Sequence, residues 1–213
     1  MKIGPKFKIA RRLGSRVFPK TQTTKFSISG SERGGKTGGK TGGRGGRGRG
    51  LSEYGQQLIE KQKARYTYGL KERQFASYVA AARAARSRSV NPVAKLFQLL
   101  ESRLDNVIFR LGLTPSRAAA RQLVTHGHAL VNGRRVNVPS CRLRVGDRVA
   151  IRPQSRDSGL FKNLTEKLKD YTAPVWLAWQ EAEKGGEVKA EPPASEAPAD
   201  IDFGAILEFY SRV

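Results

Sequence analysis

Apolar positions along this 213-residue chain change period several times, and each change marks an element. After Val93, residues Leu96, Phe97, Leu100, Leu104, Val107, Ile108 and Leu111 recur at intervals of three and four, the spacing of an amphipathic helix. Pro92 suits its first turn and Gly112 supplies its stop. A second helix is predicted over SRAAARQLVTH, with Thr114 as its N-cap, Pro115 in its first position and Gly127 as its end. Ala118, Ala119, Leu123 and Val124 are the positions expected to face the core. The period then falls to two. ALVNGRRVNV alternates around Asn132-Gly133, a preferred two-residue hairpin turn, and CRLRVGDRVAI continues the alternation about Gly146-Asp147. Leu99 to Arg152 therefore reads as two helices packed on a small antiparallel sheet.

The flanks are less regular. Residues 51–86 read as helices broken near Tyr68 and Gly69, with Ser52 as N-cap. Leu58, Ile59 and Gln62 line the first face; Leu70, Gln74, Phe75, Tyr78, Val79 and Ala82 line the second. Residues 1–29 predict only a short helix around Lys8 to Leu13 and hold too few apolar residues to fold alone, so they are expected to order on a partner. Residues 30–50 are glycine-rich and of low complexity. After Pro153 the pattern predicts a helix around Leu160 to Leu168, then an apolar anchor at Trp176, Leu177 and Trp179, then loop over 185–200. The terminal IDFGAILEFYSRV is helical and is expected to dock on 51–86 or on a protein partner. The class is α+β. A basic arm (1–50) leads into a helical domain (51–92) completed by 200–213, then a two-helix and sheet module (93–160) and a helical and loop extension (161–199).

Charge turns this scaffold toward a polyanion. Lys and Arg number 40 against 18 Asp and Glu, a net charge of +22, and the sequence pI is near 10.8. Such an excess repels itself unless something neutralises it, and nucleic acid is the simplest candidate. No apolar run approaches a membrane span, no amphipathic face or lipid signal suits a membrane surface, and the basic amino terminus lacks the apolar stretch of a secretion signal. One cysteine, Cys141, excludes an internal disulfide and a four-cysteine zinc site, and fits a reducing compartment. His126 and His128 have no further donors to complete a metal site. The GGKT repeat twice matches a phosphate-loop pattern, at Gly30–Thr37 and Gly34–Thr41, but runs into more glycine instead of the helix such a loop requires. Asp105 stands without a convergent histidine, lysine or second carboxylate, so it is expected to pair with an arginine and not to act in catalysis.

The arginines are the candidate contacts. Arg103 and Arg110 fall two turns apart along one side of the first helix. Arg117 and Arg121 lie side by side on the second, next to Gln122, and two adjacent guanidiniums need an anion between them. Phosphate meets that need because the planar fork donates two hydrogen bonds at once. His126, Asn132, Arg134 and Arg135 complete the module's set. Arg11, Arg12, Lys61, Lys63, Arg65 and Arg73 are the candidates in the first domain, and Arg44, Arg47 and Arg49 form the arm.

Several boxes resemble a known family. Leu51-Ser52-Glu53-Tyr54-Gly55, Glu60-Lys61-Gln62-Lys63, Tyr68-Gly69-Leu70 and Glu72-Arg73-Gln74-Phe75 are similar to the first domain of the bacterial small-subunit ribosomal protein four family. Arg103-Leu104-Asp105-Asn106, Ser116-Arg117, Ala120-Arg121-Gln122-Leu123, Val131-Asn132-Gly133 and Gly146-Asp147 resemble its RNA-binding module, and Phe209-Tyr210-Ser211-Arg212 its carboxyl end. The module also occurs in pseudouridine synthases, tyrosyl-tRNA synthetases and a heat-shock RNA binder, so the flanking boxes carry the specificity. The resemblance implies a cofactor-free cytoplasmic protein of the small ribosomal subunit. It implies a primary binder of small-subunit ribosomal RNA (rRNA), holding a multi-helix junction of the 5′ domain early in assembly. It also implies a contact with small-subunit ribosomal protein five and an arm beside the channel through which messenger RNA (mRNA) enters. Many relatives carry four zinc-binding cysteines near the amino terminus; here they are missing, and RNA is expected to order residues 1–35. The family's Pro-Gly-Gln-His-Gly segment is replaced by GGKT and Arg-Gly repeats. The acidic, proline-rich stretch after the tryptophans is not expected to form regular strands. The alternative is an RNA-modifying enzyme or stress-related RNA binder using the same module; an enzyme needs a further catalytic domain of roughly 150 residues, and the flanks are already occupied by helical boxes.

Overall fold

A computed structural model of the chain describes residues 3–28, 51–85, 90–156, 161, 171–180 and 184–212. They form two compact units, one drawn from 1–77 and 198–213, the other from 78–197. The glycine-rich arm, with Arg44, Arg47, Arg49 and the phosphate-loop matches, lies outside the described residues, as does nearly all of the helix expected at Leu160 to Leu168.

In the first unit, α1 (Lys6–Leu13) ends on Gly14, whose φ of 63° is the left-handed cap that glycine adopts without strain. Beyond it, Phe18 and Phe26 bury with Ala10, and Tyr66 of α2 (Glu53–Thr67) packs against them; the Phe18 and Tyr66 rings meet edge to face at 5.6 Å. The apolar residues of 3–28 thus have a partner within the chain, which corrects the expectation that this segment orders on RNA. Ser52 caps α2 by accepting from the Gly55 N–H at 3.2 Å. The chain turns at Tyr68-Gly69 into α3 (Glu72–Ala84), whose residues up to Ser77 belong to this unit, and Leu70 and Phe75 are buried. At the other end of the sequence, Asp202 caps α7 (Phe203–Ser211), which lies on α2. Ring pairs tie α7 down: Tyr54 with Phe209 at 5.3 Å and Phe75 with Tyr210 at 6.2 Å.

The second unit contains α4 (Pro92–Glu101), α5 (Leu104–Arg110) and α6 (Arg117–Thr125) with an antiparallel sheet. Its strands are β1 (Ala129–Val131), β2 (Arg134–Arg135), β3 (Arg148–Ile151), β4 (Leu177–Gln180) and β5 (Gly185–Val188), in the order β2-β1-β3-β5-β4. Asn132 and Gly133 have φ of 50° and 78°, both positive as a type I′ hairpin turn requires. The core gathers Leu104, Val107, Ile108 and Leu111 of the helices with Val149, Ile151, Leu177 and Val188 of the strands.

Four expectations change here. The helix predicted from Val93 to Leu111 is two helices, because the backbone at 102–104 leaves the helical ladder to pair with 141–143. Leu104 N–H donates to the Cys141 carbonyl and Leu143 N–H to the Ser102 carbonyl, each at 2.8 Å. The cap of α6 is Ser116, accepting from Ala119 N–H at 3.2 Å, in place of Thr114. Ala120 faces the core where Ala118 was expected to, and Ala118 is exposed. Finally, β4 and β5 extend the sheet where an extension of helix and loop was expected: β5 pairs with both β3 and β4.

Candidate RNA interface

The site is assembled from the ends of α4, α5 and α6 and from the β1–β2 hairpin. Glu101, the last residue of α4, has none of its surface exposed. Its carboxylate accepts from Arg110 Nε at 2.8 Å, Arg110 Nη2 at 3.0 Å and Asn106 Nδ2 at 2.6 Å. Arg117, the first residue of α6 after its cap, donates from Nε to Asn106 Oδ1 at 2.6 Å and stands 3.6 Å from Glu101. Its guanidinium lies 4.6 Å above the Phe109 ring, a contact that fixes the fork in a plane.

A second carboxylate repeats the arrangement. Asp105 accepts from Arg103 Nε at 3.0 Å and Nη2 at 2.7 Å, and Arg121 Nη1 approaches it at 3.8 Å. Arg103 also donates to Tyr78 Oη at 2.7 Å. Burial alone would lower the Arg103 pKa, but the Asp105 hydrogen bonds and charge, with Tyr78, outweigh it and hold the guanidinium above its ordinary value. Asp105 thus pairs with a neighbouring arginine as its sequence context suggests. The anions beside Arg117 and Arg121 include two carboxylates of the protein itself, which the pattern of exposed arginines did not show.

Only part of the sequence-selected set faces outward. Arg103, 1% exposed, is a buried N-terminal residue of α5 and not a member of an exposed side with Arg110. Lys61, 7% exposed, donates to Glu72 at 2.8 Å and sits 4.5 Å over the Phe209 ring. Burial, and the partners it brings, remove both from the outer face. Asn132 is exposed, but its amide serves the hairpin: Nδ2 donates to Asp147 Oδ1 and Oδ1 accepts from Arg148 N–H, each at 2.8 Å. Gln122, His126, Arg134 and Arg135 are exposed. Arg135 crosses from β2 to the end of α6, its Nη2 donating to the His126 carbonyl at 3.5 Å. Gly127, with φ of 73°, lets it lie there, since a Cβ would stand 2.2 Å from Arg135 Nε. Gln122, His126 and Arg135 consequently belong to one outward area, and Arg134 points to the other face of its strand.

In the first unit, Lys63 pairs with Glu60 at 2.6 Å, and Arg65 donates to Gln62 at 2.9 Å while stacking 4.6 Å over Tyr66. Arg11 lies 5.7 Å over the Phe26 ring, and Arg12 and Arg73 are exposed. Residues 3–28 contain neither cysteine nor histidine, so the zinc of the cysteine-bearing relatives has no soft or imidazole donor there. Among the described residues no group of three or more His, Cys, Asp or Glu is placed to hold a metal. His128 Nδ1 lies 2.9 Å from Ser155 Oγ. Glu101 escaped sequence reasoning; its only signal is a carboxylate placed directly after the apolar stretch that ends in Leu99-Leu100.

A helix pair presenting carboxylate-anchored arginines beside a basic hairpin defines an α+β RNA-binding module, and the family described as "S4 domain" matches residues 102–149. The family described as "Ribosomal protein S4/S9 N-terminal domain" matches residues 1–101. The chain is 46% identical over 214 aligned residues to small ribosomal subunit protein uS4 of Roseiflexus castenholzii, covering 99% of this chain and 98% of the relative. It is 44% identical over 214 to the protein of that name from Chloroflexus aurantiacus, with the same coverage. Against the one from Pelotomaculum thermopropionicum it is 48% identical over 162 residues, 76% of each chain. The chain belongs to the uS4 family. As such it is a structural ribosomal protein and not an enzyme.

Proposed function

We propose that the chain acts as a primary binder of small-subunit rRNA, holding a multi-helix junction of the 5′ domain early in assembly within the cytoplasmic ribosome. Small-subunit ribosomal protein five is a neighbour in this reading, and the arm bearing Arg44, Arg47 and Arg49 lies near the mRNA channel. The observation that carries it is the anchoring of Arg117 and Arg121 by Glu101, Asn106 and Asp105. Arginines fixed before binding lose less side-chain freedom when they meet phosphate. Folded RNA hides its deep groove, so recognition here is of junction shape, phosphates and 2′-hydroxyls. The test is equilibrium binding of the full chain to a folded 5′-domain rRNA junction across a salt series. A log–log slope of about −0.7 per displaced counterion, multiplied over several contacts, is expected. Replacing Arg117 and Arg121 together by alanine should weaken binding strongly. A flat salt response, or unchanged binding by the double variant, overturns the reading.

A further inference from the structure

We propose that a cleft in the second unit, between α4, the segment Arg142–Val145 and the end of β5, takes one nucleotide of the bound RNA. The inference rests on the rRNA-binding reading above and adds a site to it. The cleft has a volume of about 550 Å³, inside the range of roughly 300–1,000 Å³ that suits a small ligand. Lys95, Arg142, Arg144 and Glu191 stand around it, with Val145 and Ala190 as the exposed part of its apolar lining. None of Arg117, Arg121, Gln122 or His126 lines it.

The chain places these cations deliberately. The antiparallel bridge between Arg103 and Arg142 holds the segment extended, and Leu143 is buried in the core. With Leu143 turned in, the alternation of an extended strand throws Arg142 and Arg144 to the same outward side. The far end is fixed to β5: Gly146 N–H donates to the Val188 carbonyl at 2.8 Å and Val188 N–H to the Asp147 carbonyl at 3.0 Å. Lys95 comes from α4, its Nζ 3.2 Å from Gln98 Oε1. The cleft is therefore formed before any ligand arrives.

Its charge is uncompensated. Arg103, Arg110, Arg117 and Arg121 each stand on a carboxylate, whereas the Arg142 and Arg144 side chains make no hydrogen bond or ion pair among the described residues. Three cations face one carboxylate, Glu191, across a lining that is partly apolar. A nucleotide matches both halves: its phosphate accepts from the guanidinium forks, and its base or ribose covers Val145 and Ala190.

The test uses the full chain and a folded 5′-domain rRNA junction. A benzophenone side chain in place of Val145, 55% exposed at the cleft, is compared with one in place of Gln122. Irradiation of the complex should crosslink RNA from position 145. Arg142→Ala with Arg144→Ala should weaken binding about tenfold or more and flatten the log–log salt slope by about 0.7 to 0.9, the share of one phosphate, with an unshifted melting temperature. Crosslinking from position 122 but not 145, with undiminished affinity of the double variant, overturns the cleft and leaves the rRNA reading standing. So does crosslinking from 145 to a protein of the assembled subunit in place of RNA. If the unaltered chain fails to bind the junction, the rRNA reading falls and the cleft with it. Should the double variant melt early, the crosslink from position 145 in the otherwise native chain decides alone.

Discussion

Glu101 and Arg110 form a two-bonded pair, 2.8 and 3.0 Å, in which the carboxylate is fully enclosed. A charge taken out of water costs several kcal/mol unless its lone pairs are filled, and here Arg110, Asn106 and Arg117 fill them. Glu101→Ala removes the acceptor these donors share. The expected loss of stability is about 3–5 kcal/mol, read as a lower denaturant midpoint. Glu101→Gln keeps the shape and should lose less. An unchanged midpoint for the alanine variant would show that the network contributes nothing to the fold.

Arg117 and Arg121 should separate when replaced singly. The Arg117 side chain, 20% exposed, rests on Phe109 and bonds to Asn106, so Arg117→Ala should lower both stability and RNA affinity. The Arg121 side chain is 42% exposed and 3.8 Å from Asp105. A half-exposed pair at that distance contributes about 0–1 kcal/mol, and Arg121→Ala should therefore weaken RNA binding with little shift in melting temperature. Equal thermal losses in the two variants would contradict the division.

The first unit should respond to acid through Glu72. Burial alone would raise its pKa, but hydrogen bonds from Lys61 and Tyr210 and the charges of Lys61 and Arg65 hold it below the usual carboxylate range. A carboxylate with a depressed folded pKa adds stability above its unfolded value and loses it as pH falls through the folded one. Glu72→Gln should consequently flatten the acid limb of the stability curve and lower stability at neutral pH. Thermal melts between pH 7 and about pH 3 check it, with parallel curves for the two proteins as the contrary result.

What could be read in the sequence was local chemistry. Ser52, Pro92 and Asn132-Gly133 act through their own backbone and near neighbours, so their cap, first turn and hairpin appear where the residues imply. The break at Arg103 could not be read, because it depends on pairing with Cys141 and Leu143, distant in the chain. Lys61 looks like any surface cation until Glu72 is brought beside it, and Arg103 until Tyr78 is. Phe18 and Phe26 have no period of their own, and only Tyr66 shows what they pack against.

The strand GGEV is the clearest case of a pattern that propensity rejects and geometry requires. Two glycines have low strand preference, yet a Cβ on Gly185 would lie 2.0 Å from the Val149 carbonyl oxygen and 2.7 Å from Ala150 Cα. One on Gly186 would lie 2.5 Å from Leu111 Cδ2 and 2.6 Å from the Ala178 carbonyl oxygen. The obstacles at Gly185 are backbone, which cannot swing aside, so β3 and β5 would have to part. Gly185→Ala should cost about 1–3 kcal/mol from overpacking, with further loss from the broken ladder. Gly55→Ala is the internal control: its Cβ would meet nothing closer than 3.4 Å, and α2 should gain about 0.5–1 kcal/mol. Chemical denaturation of both variants beside the parent should move the midpoints in opposite directions. A Gly185→Ala protein as stable as the parent would mean that β5 does not sit against β3 as described.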